Sequence, residues 1–373
     1  MEFELAHSVM GVKVNGKIKW PKGAIVRETH EGVGLSRTWF ETAEAEGIEV
    51  RYETSAMQLT QGESGRVDGV VARGPDGMQR LSAKAVILAC GGFETNPAWR
   101  RLYLGDPWDH AKVRGSNFNY GDGLKMAMDI GAMPWGHWGG CHATPINAEA
   151  PDYGRRDLTD KTNRLSYWCG VMINVEGKRF VDEGADFNSY TYAKYGGMIL
   201  KQPQSLIYQI FDSKVLDMLE PRYSTSVPFK SDTLEGLIKQ LKVDHKQAIK
   251  TVNEYNAAAG HGKFDAIALD GMHTDGIEPP KTNWAHPVER GPFVGWPLTT
   301  AVCFVFGGVR TDAQARVVSP SGVPIPGLYG AGEMTGVFYE YYPVGTSVLR
   351  GLTFGRIAGA HAAHAPAREV AAV

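Results

Sequence analysis

A chain of 373 residues is longer than one hydrophobic core usually serves, so two domains are expected. Hydrophobic residues at 43%, charged residues at 21% and a formal net charge of −2 describe an ordinary globular protein with no pull toward nucleic acid or an anionic membrane. The four cysteines, Cys90, Cys141, Cys169 and Cys303, are far apart and make no C-x-x-C pair, which argues against a zinc site or a disulfide framework and for a reducing cytoplasm. The opening residues show no basic patch followed by an apolar run, and no apolar stretch is long enough to span a bilayer.

In chain order, residues 11–20 alternate weakly around Asn15-Gly16 and read as a hairpin. Leu35, Trp39 and Ala43 recur at i, i+4 and i+8, with Phe40 widening the stripe, which predicts a helix over 34–46 stopped by Gly47. A strand is expected over 48–52. The segments 66–72 and 79–81 flank Gly74-Pro75-Asp76-Gly77 and should pair. The apolar run 85–89 has the character of a strand buried on both faces, and it ends in Gly91-Gly92. Gly121-Asp122-Gly123 opens a helix reaching Ile130. The stretch 139–299 has a different texture, rich in Tyr, Trp, Asn and Gly. Its clearest helices are 232–242 and 244–258, with Asp232 and Asp244 as N-caps, and 260–299 reads as loop. After residue 300 strand-like segments return at 302–306, 316–318 and 328–329, followed by a helix over 347–364. The pattern predicts an α/β domain made of residues 1–138 and 300–373, interrupted by an inserted α+β domain of residues 139–299.

Three segments could carry chemistry. The strand before Gly91-Gly92 lets a backbone approach a ligand closely, or makes an ordinary tight turn. Gly330-Ala331-Gly332-Glu333 places a carboxylate straight after a glycine-rich turn, where it could accept hydrogen bonds from ribose hydroxyls; the spacing is not G-x-G-x-x-G. Tyr341-Tyr342-Pro343-Val344-Gly345-Thr346-Ser347 precedes the last helix, where Thr346 or Ser347 can cap and the positive end of the dipole could meet an anion. That helix carries Gly351, Gly355 and Gly359 on one face, which implies a neighbour packed close against it.

Taken in this order, the pieces resemble the flavoprotein family of fumarate reductase and succinate dehydrogenase. The carriers are 89–93 (Ala-Cys-Gly-Gly-Phe), Gly121-Asp122-Gly123, 177–183 (Gly-Lys-Arg-Phe-Val-Asp-Glu), Gly307-Gly308-Val309, 326–333 (Pro-Gly-Leu-Tyr-Gly-Ala-Gly-Glu) and 353–359 (Thr-Phe-Gly-Arg-Ile-Ala-Gly). Gly184-Ala185-Asp186-Phe187, the Tyr-rich run 190–196 and Tyr342-Pro343 look closest to the tricarballylate dehydrogenase-like branch; 3-ketosteroid dehydrogenases share a similar Tyr-Pro pair.

The resemblance implies a split, Rossmann-like FAD-binding domain with an inserted capping domain, and substrate held against the flavin. By it, Glu333 would hold the FAD ribose, and Ser347, Val348 and Leu349 the flavin pyrimidine edge. Ala56 would meet the adenine, and Ala89, Gly91, Gly92, Asp122 and Gly332 would line the cofactor. Tyr342 becomes the first candidate for acid/base work, or else a Tyr packed at a domain junction. His142 lies close to a substrate-binding His of fumarate reductases, and Tyr192 and Arg350 could face the ring or a substrate carboxylate. Arg164, Arg179, Lys194 and Arg350 are the cations available to a polycarboxylate, with Arg179 expected to pair within its own turn. No metal site is expected.

Two departures shape the expectations. The family's opening strand and G-x-G-x-x-G turn are not found, so an N-terminally truncated form, a fragment or a misplaced start is expected. Phe187-Asn188 stands where fumarate reductases carry a proton-donating Arg, and Tyr342-Pro343 replaces a fumarate-binding Arg. The expected activity is therefore FAD-dependent dehydrogenation or reduction at a CH–CH bond of a small di- or tricarboxylate, tricarballylate dehydrogenase-like, with an electron-acceptor protein as partner. The alternatives are a 3-ketosteroid dehydrogenase-like flavoenzyme and an inactive truncated remnant that binds no FAD.

Overall fold

The computed structural model describes residues 1–7, 11–21 and 23–365. They form two compact units of mixed α/β structure. The first is built from Met1–Arg37 and Ala143–Ala301, the second from Thr38–His142 and the described residues from Val302 on. Residues 1–37, expected with the flanking domain, group with the inserted one.

In the second unit, Ser55–Gln61, Val67–Gly74 and Gly77–Ser82 form an antiparallel three-stranded sheet, which contains the strand pair expected around Gly74. A second sheet has the order Arg316–Val318, Pro324–Gly330, Val86–Leu88. Its inner pair is parallel, with Leu328 opposite Val86 and Gly330 opposite Leu88. Leu59, Val67, Leu88, Phe93, Leu124, Val317, Leu328 and Met334 share one core, so the helix Asp122–Asp129 packs onto both sheets. The last helix, Thr346–Ala363, lays Phe354, Ile357, Ala358 and Ala362 against Ala85, Ala315 and Tyr329.

Several expectations change. Residues 48–52 form no strand: they have no ladder partner among the described residues, and Ile48 and Tyr52 are exposed. Val86–Leu88 is not buried on both faces. It is an edge strand, and Ile87 is 38% exposed. The helix Glu31–Ala45 forms, but Trp39 and Phe40 on its apolar stripe are exposed and only Gly34 is buried. The glycine face of the last helix has no close neighbour among the described residues. A Cβ at Gly355 or Gly359 would meet nothing within 4 Å, and one at Gly351 only the Gly332 Cα at 3.9 Å. It is the adjoining side, carrying Phe354, Ile357 and Ala358, that packs.

The first unit is organised by antiparallel strands Val171–Asn174, Ile207–Phe211 and Phe293–Val305. Of the last, the part up to residue 299 was expected to be loop and only 302–306 to be strand-like. Its single proline, Pro297, sits opposite Tyr208 and leaves the rest of a largely buried apolar run free to pair. Leu234–Ile238 and His245–Ala258 cover this sheet through Leu237, Ile238, Ala248, Val252 and Tyr255. Asp244 caps the second helix as expected, accepting from the Gln247 N–H; Thr233 rather than Asp232 caps the first. The N-terminal hairpin pairs Val12–Val14 with Lys17–Lys19.

Arg179 and Glu183 form a fully buried ion pair within one turn, as expected from the sequence. Glu183 also accepts from the Met172 N–H at 2.8 Å, and Arg179 donates to the carbonyls of Pro279 and Pro280. The pair thus ties the turn to the sheet and to the proline loop. Arg179→Met leaves a carboxylate buried without its cation and is expected to cost about 3–5 kcal/mol. Urea unfolding of the variant measures this; a loss below about 1 kcal/mol contradicts the role given to the pair.

Candidate active site

Because Val86–Leu88 and Pro324–Gly330 run parallel, the two glycine-rich turns that follow them leave the same end of the sheet. Gly91 has a left-handed φ of +76°, and a Cβ there would lie 2.6 Å from the Asn119 side chain. A Cβ at Gly92 would run into Glu333 Oε1 and lie 2.6 Å from Val305 Cγ2. Glu333 Oε1 accepts from the Val305 N–H at 2.8 Å, and the Gly92 N–H donates to the same carboxyl. The absence of a side chain at Gly92 is therefore what gives Glu333 its place. Gly123 has a similar function, since a Cβ would sit 2.6 Å from Cys90 Cβ. Gly332, with φ of +68°, meets nothing within 4 Å and leaves an open stretch of backbone beside Glu333.

The last helix begins beyond Gly345, whose φ is +82°. Neither Thr346 nor Ser347 caps it, contrary to expectation. Thr346 Oγ1 donates back to the Pro343 carbonyl at 2.6 Å, and Ser347 Oγ lies 3.1 Å from the Tyr342 hydroxyl. With no side-chain cap, the positive end of the dipole is open to an anion or a carbonyl oxygen, although the Thr346 N–H already donates to the Pro343 carbonyl at 3.2 Å and the Leu349 N–H to that of Gly345 at 3.4 Å. Val348 and Leu349 stand exposed there. Ala89 and Asp122 are exposed too, Asp122 at the start of its helix. Ala56 lies opposite Ala72 on the sheet strand that this helix packs against. An open glycine backbone, a poised carboxyl and an uncapped helix start with apolar side chains fit a flat, hydroxylated and partly anionic cofactor.

Three of the four catalytic candidates come together in this unit. The His142 ring stacks on Phe304 at 5.2 Å and meets Tyr342 edge-on at 5.0 Å. Tyr342 also packs edge-on against Phe304 at 4.9 Å and Phe338 at 5.4 Å. Its hydroxyl oxygen accepts from the Gly345 N–H at 2.9 Å, which with Ser347 fixes the direction of the phenol. The Arg350 guanidinium lies over Phe338 at 4.6 Å and donates from Nη1 to the Thr335 carbonyl at 2.9 Å, while its buried Nε has no partner. Burial, reinforced by the charge of Arg114, holds the His142 imidazole well below its usual pKa and hence neutral at physiological pH.

Tyr192 is buried in the helix Asn188–Leu200 of the first unit. Two of the expected substrate cations are committed elsewhere. Arg164 donates to the carbonyls of Lys161 and Asn163 and to the hydroxyls of Thr225 and Ser226, and Arg179 is held by Glu183. Lys194 lies over the Tyr195 ring at 5.8 Å. Sequence reading missed Glu94, Asn119, Phe304 and Phe338. Glu94 directly follows Gly91-Gly92-Phe93, and Phe338 opens the aromatic run before Pro343, so both had a local signal. Among the described residues no group of three or more His, Cys, Asp or Glu could hold a metal ion, all four cysteines are free, and no helix is long and apolar enough to cross a membrane.

A probable fumarate reductase of Shewanella frigidimarina is 29% identical over 362 residues, covering 93% of this chain and 57% of that protein. A 3-oxosteroid 1-dehydrogenase of Mycobacterium tuberculosis is 27% identical over 390 residues, covering 94% of this chain and 66% of its own length. The chain thus spans a little over half to two thirds of these relatives. Among solved structures, the open conformation of a flavocytochrome c3 fumarate reductase superposes with a TM-score of 0.67 at 25% identity, over 95% of this chain and 60% of that one. The family model of the FAD binding domain matches residues 16–349. The chain therefore belongs to the FAD binding domain family, within the flavoproteins of fumarate reductase and succinate dehydrogenase, and its cofactor is FAD.

Proposed function

We propose that this chain is an FAD-dependent oxidoreductase that adds or removes hydrogen across a carbon–carbon bond. The observation that carries the reading is the grouping of Tyr342, His142 and Arg350 in the unit that also holds the open glycine turns and the uncapped helix start. In this reading Ala89, Gly91, Gly92, Gly332, Glu333, Ser347, Val348 and Leu349 hold FAD, with Ala56 and Asp122 toward its adenosine end. Bound FAD would supply the oxidising or reducing equivalents. The side chains orient the substrate and handle its proton: Tyr342 gives or takes it at its hydroxyl, neutral His142 hydrogen-bonds an uncharged oxygen, and Arg350 pairs with a carboxylate through its unpartnered Nε.

The substrate we favour is a small carboxylate with a single carboxyl at Arg350. A tricarballylate-like substrate would need more cations, whereas Arg164 is committed to two carbonyls and two hydroxyls, leaving only its buried Nε, and Arg179 is held by Glu183. The second reading, a 3-ketosteroid-like substrate, is favoured by the aromatic surround of Phe304, Phe306, Phe338 and Tyr342, and by the steroid dehydrogenase relative. An electron-acceptor protein and a reducing cytoplasmic location complete the proposal, the latter supported by the free thiols.

The purified full chain titrated with FAD is expected to take on a flavin absorbance band and to turn over small monocarboxylates at a carbon–carbon bond next to the carboxyl, with an artificial electron carrier. Turnover of 3-ketosteroids alone decides for the second reading, and a protein that stays colourless overturns both. Tyr342→Phe is expected to lower kcat about 10²–10⁴-fold while keeping the flavin band, and an unchanged kcat removes Tyr342 from proton transfer. Gly92→Ala, which pushes Glu333 aside, is expected to lose bound flavin while far-UV circular dichroism stays unchanged; full flavin retention contradicts the cradle.

A further inference from the structure

The carboxyl of Glu94 has no part in the site as read so far, yet it is the most deeply buried acid beside it. Glu94 is 1% exposed and faces the Glu333 carboxyl within hydrogen-bonding reach. It is fixed from three directions. Its Oε1 accepts from the Asn119 side-chain N–H, its backbone carbonyl accepts from Arg100 Nη1 at 2.7 Å, and the Thr95 N–H next to it donates to the Asn119 carbonyl at 3.1 Å. Glu333 has the opposite environment. It accepts from the N–H groups of Val305 and Gly92 and feels the Arg350 cation. Two carboxyls this close cannot both ionise in a buried site. The donors gathered around Glu333 and the burial of Glu94 assign the proton to Glu94.

We propose that Glu94 is a positioning residue for the cofactor: as a neutral acid it donates a hydrogen bond to the Glu333 carboxylate and holds it aimed at the flavin nucleotide's hydroxyls. This rests on the FAD reading of the site. The direction of the shifts agrees. Burial raises both carboxyls: the Glu333 charge then lifts Glu94 further, well above the usual carboxylate range, whereas Glu333 stays raised by burial but is pulled back by the hydrogen bond from Glu94 and the N–H groups of Val305 and Gly92. The other groups facing the pair are Arg350 and Arg100, Arg114, and Cys303, which lies 3.0 Å from Arg114 Nε. The arginines keep their charge and burial raises the Cys303 thiol, so the carboxyl pair is what titrates as pH rises above the ordinary carboxylate range.

The sign follows. Glu94 has its pKa raised on folding, so its contribution is complete below the ordinary carboxylate range and is lost as pH rises through the raised value. A second negative charge then appears beside Glu333, and both the cofactor grip and the fold weaken. In Glu94→Gln the amide N–H still donates to Glu333 but cannot ionise. In Glu94→Ala no donor remains.

The test is the dissociation constant of FAD, by flavin fluorescence, for the full chain and both variants from pH 5.5 to 9, with the melting temperature of each FAD-free protein over the same range. The expected result has three parts. The unsubstituted chain loses affinity as pH rises, Glu94→Gln holds its affinity flat with pH, and Glu94→Ala binds roughly 10-fold or more weakly than the unsubstituted chain at acidic pH, a gap that closes as pH rises. In the FAD-free proteins, Glu94→Gln gains melting temperature over the unsubstituted chain toward alkaline pH. Equal affinity of Glu94→Ala and the unsubstituted chain at acidic pH, or the same pH dependence in Glu94→Gln, overturns the inference. A chain that binds no FAD at any pH sinks the FAD reading instead, and the melting temperatures then judge the proton-sharing pair by themselves.

Discussion

One backbone register governs the rest: Leu328 lies opposite Val86 and Gly330 opposite Leu88 in a parallel pair. Parallel strands send their following turns to the same end of a sheet, so segments more than 230 residues apart, Gly91-Gly92 and Ala331–Glu333, meet there. An antiparallel pairing would have put them at opposite ends. The core of Leu88, Leu328, Leu124 and Met334 beneath the turns holds that register, because a one-residue slip would turn these side chains out of the core. The glycines above the core then answer a steric demand. Gly92 leaves room for Glu333, Gly91 for Asn119 and Gly123 for Cys90.

The second constraint is electrostatic. Glu333 and Arg350 approach the same neighbourhood from different elements, and Arg350 keeps unsatisfied capacity in its buried, unpartnered Nε. The aromatic rings around Arg350 and Tyr342 lower the local dielectric and make each remaining polar group count for more. Such a site discriminates by its few polar contacts. One cation among four aromatic rings suits a substrate with one anionic or carbonyl oxygen on an apolar frame. In the first unit, by contrast, Arg164 and Arg179 are consumed in holding carbonyls and turns, a structural use of charge that their buried state demands.

Much of this was legible in the sequence where chemistry is local. Gly74-Pro75-Asp76-Gly77 declared its strand pair, Asp244 its helix, and Arg179 a pairing within its own turn. The glycine turns and Glu333 could be singled out, though only strand pairing brings them together. What failed depended on neighbours far along the chain. The run 48–52 has strand-like residues but no ladder partner among the described residues, and Pro292 and Pro297 hid the first half of the strand Phe293–Val305. The glycine stripe of the last helix promised a close neighbour, yet the helix packs through Phe354 and Ala358 instead. Thr346 and Ser347 had the right chemistry for a cap, but Pro343 and Tyr342 offered their hydroxyls better partners. Whether a cation is free for substrate could not be read from its position either, since that depends on which carbonyls fold around it.

The central claim is that three separate stretches of the second unit form one cofactor cradle. Amide hydrogen exchange of the full chain with and without FAD tests it most directly. The account predicts that added FAD slows exchange together at residues 91–94, 332–333 and 347–349, with the same half-saturating FAD concentration at all three. Protection at only one of these segments, or none at any of them at FAD concentrations that colour the protein, would contradict it.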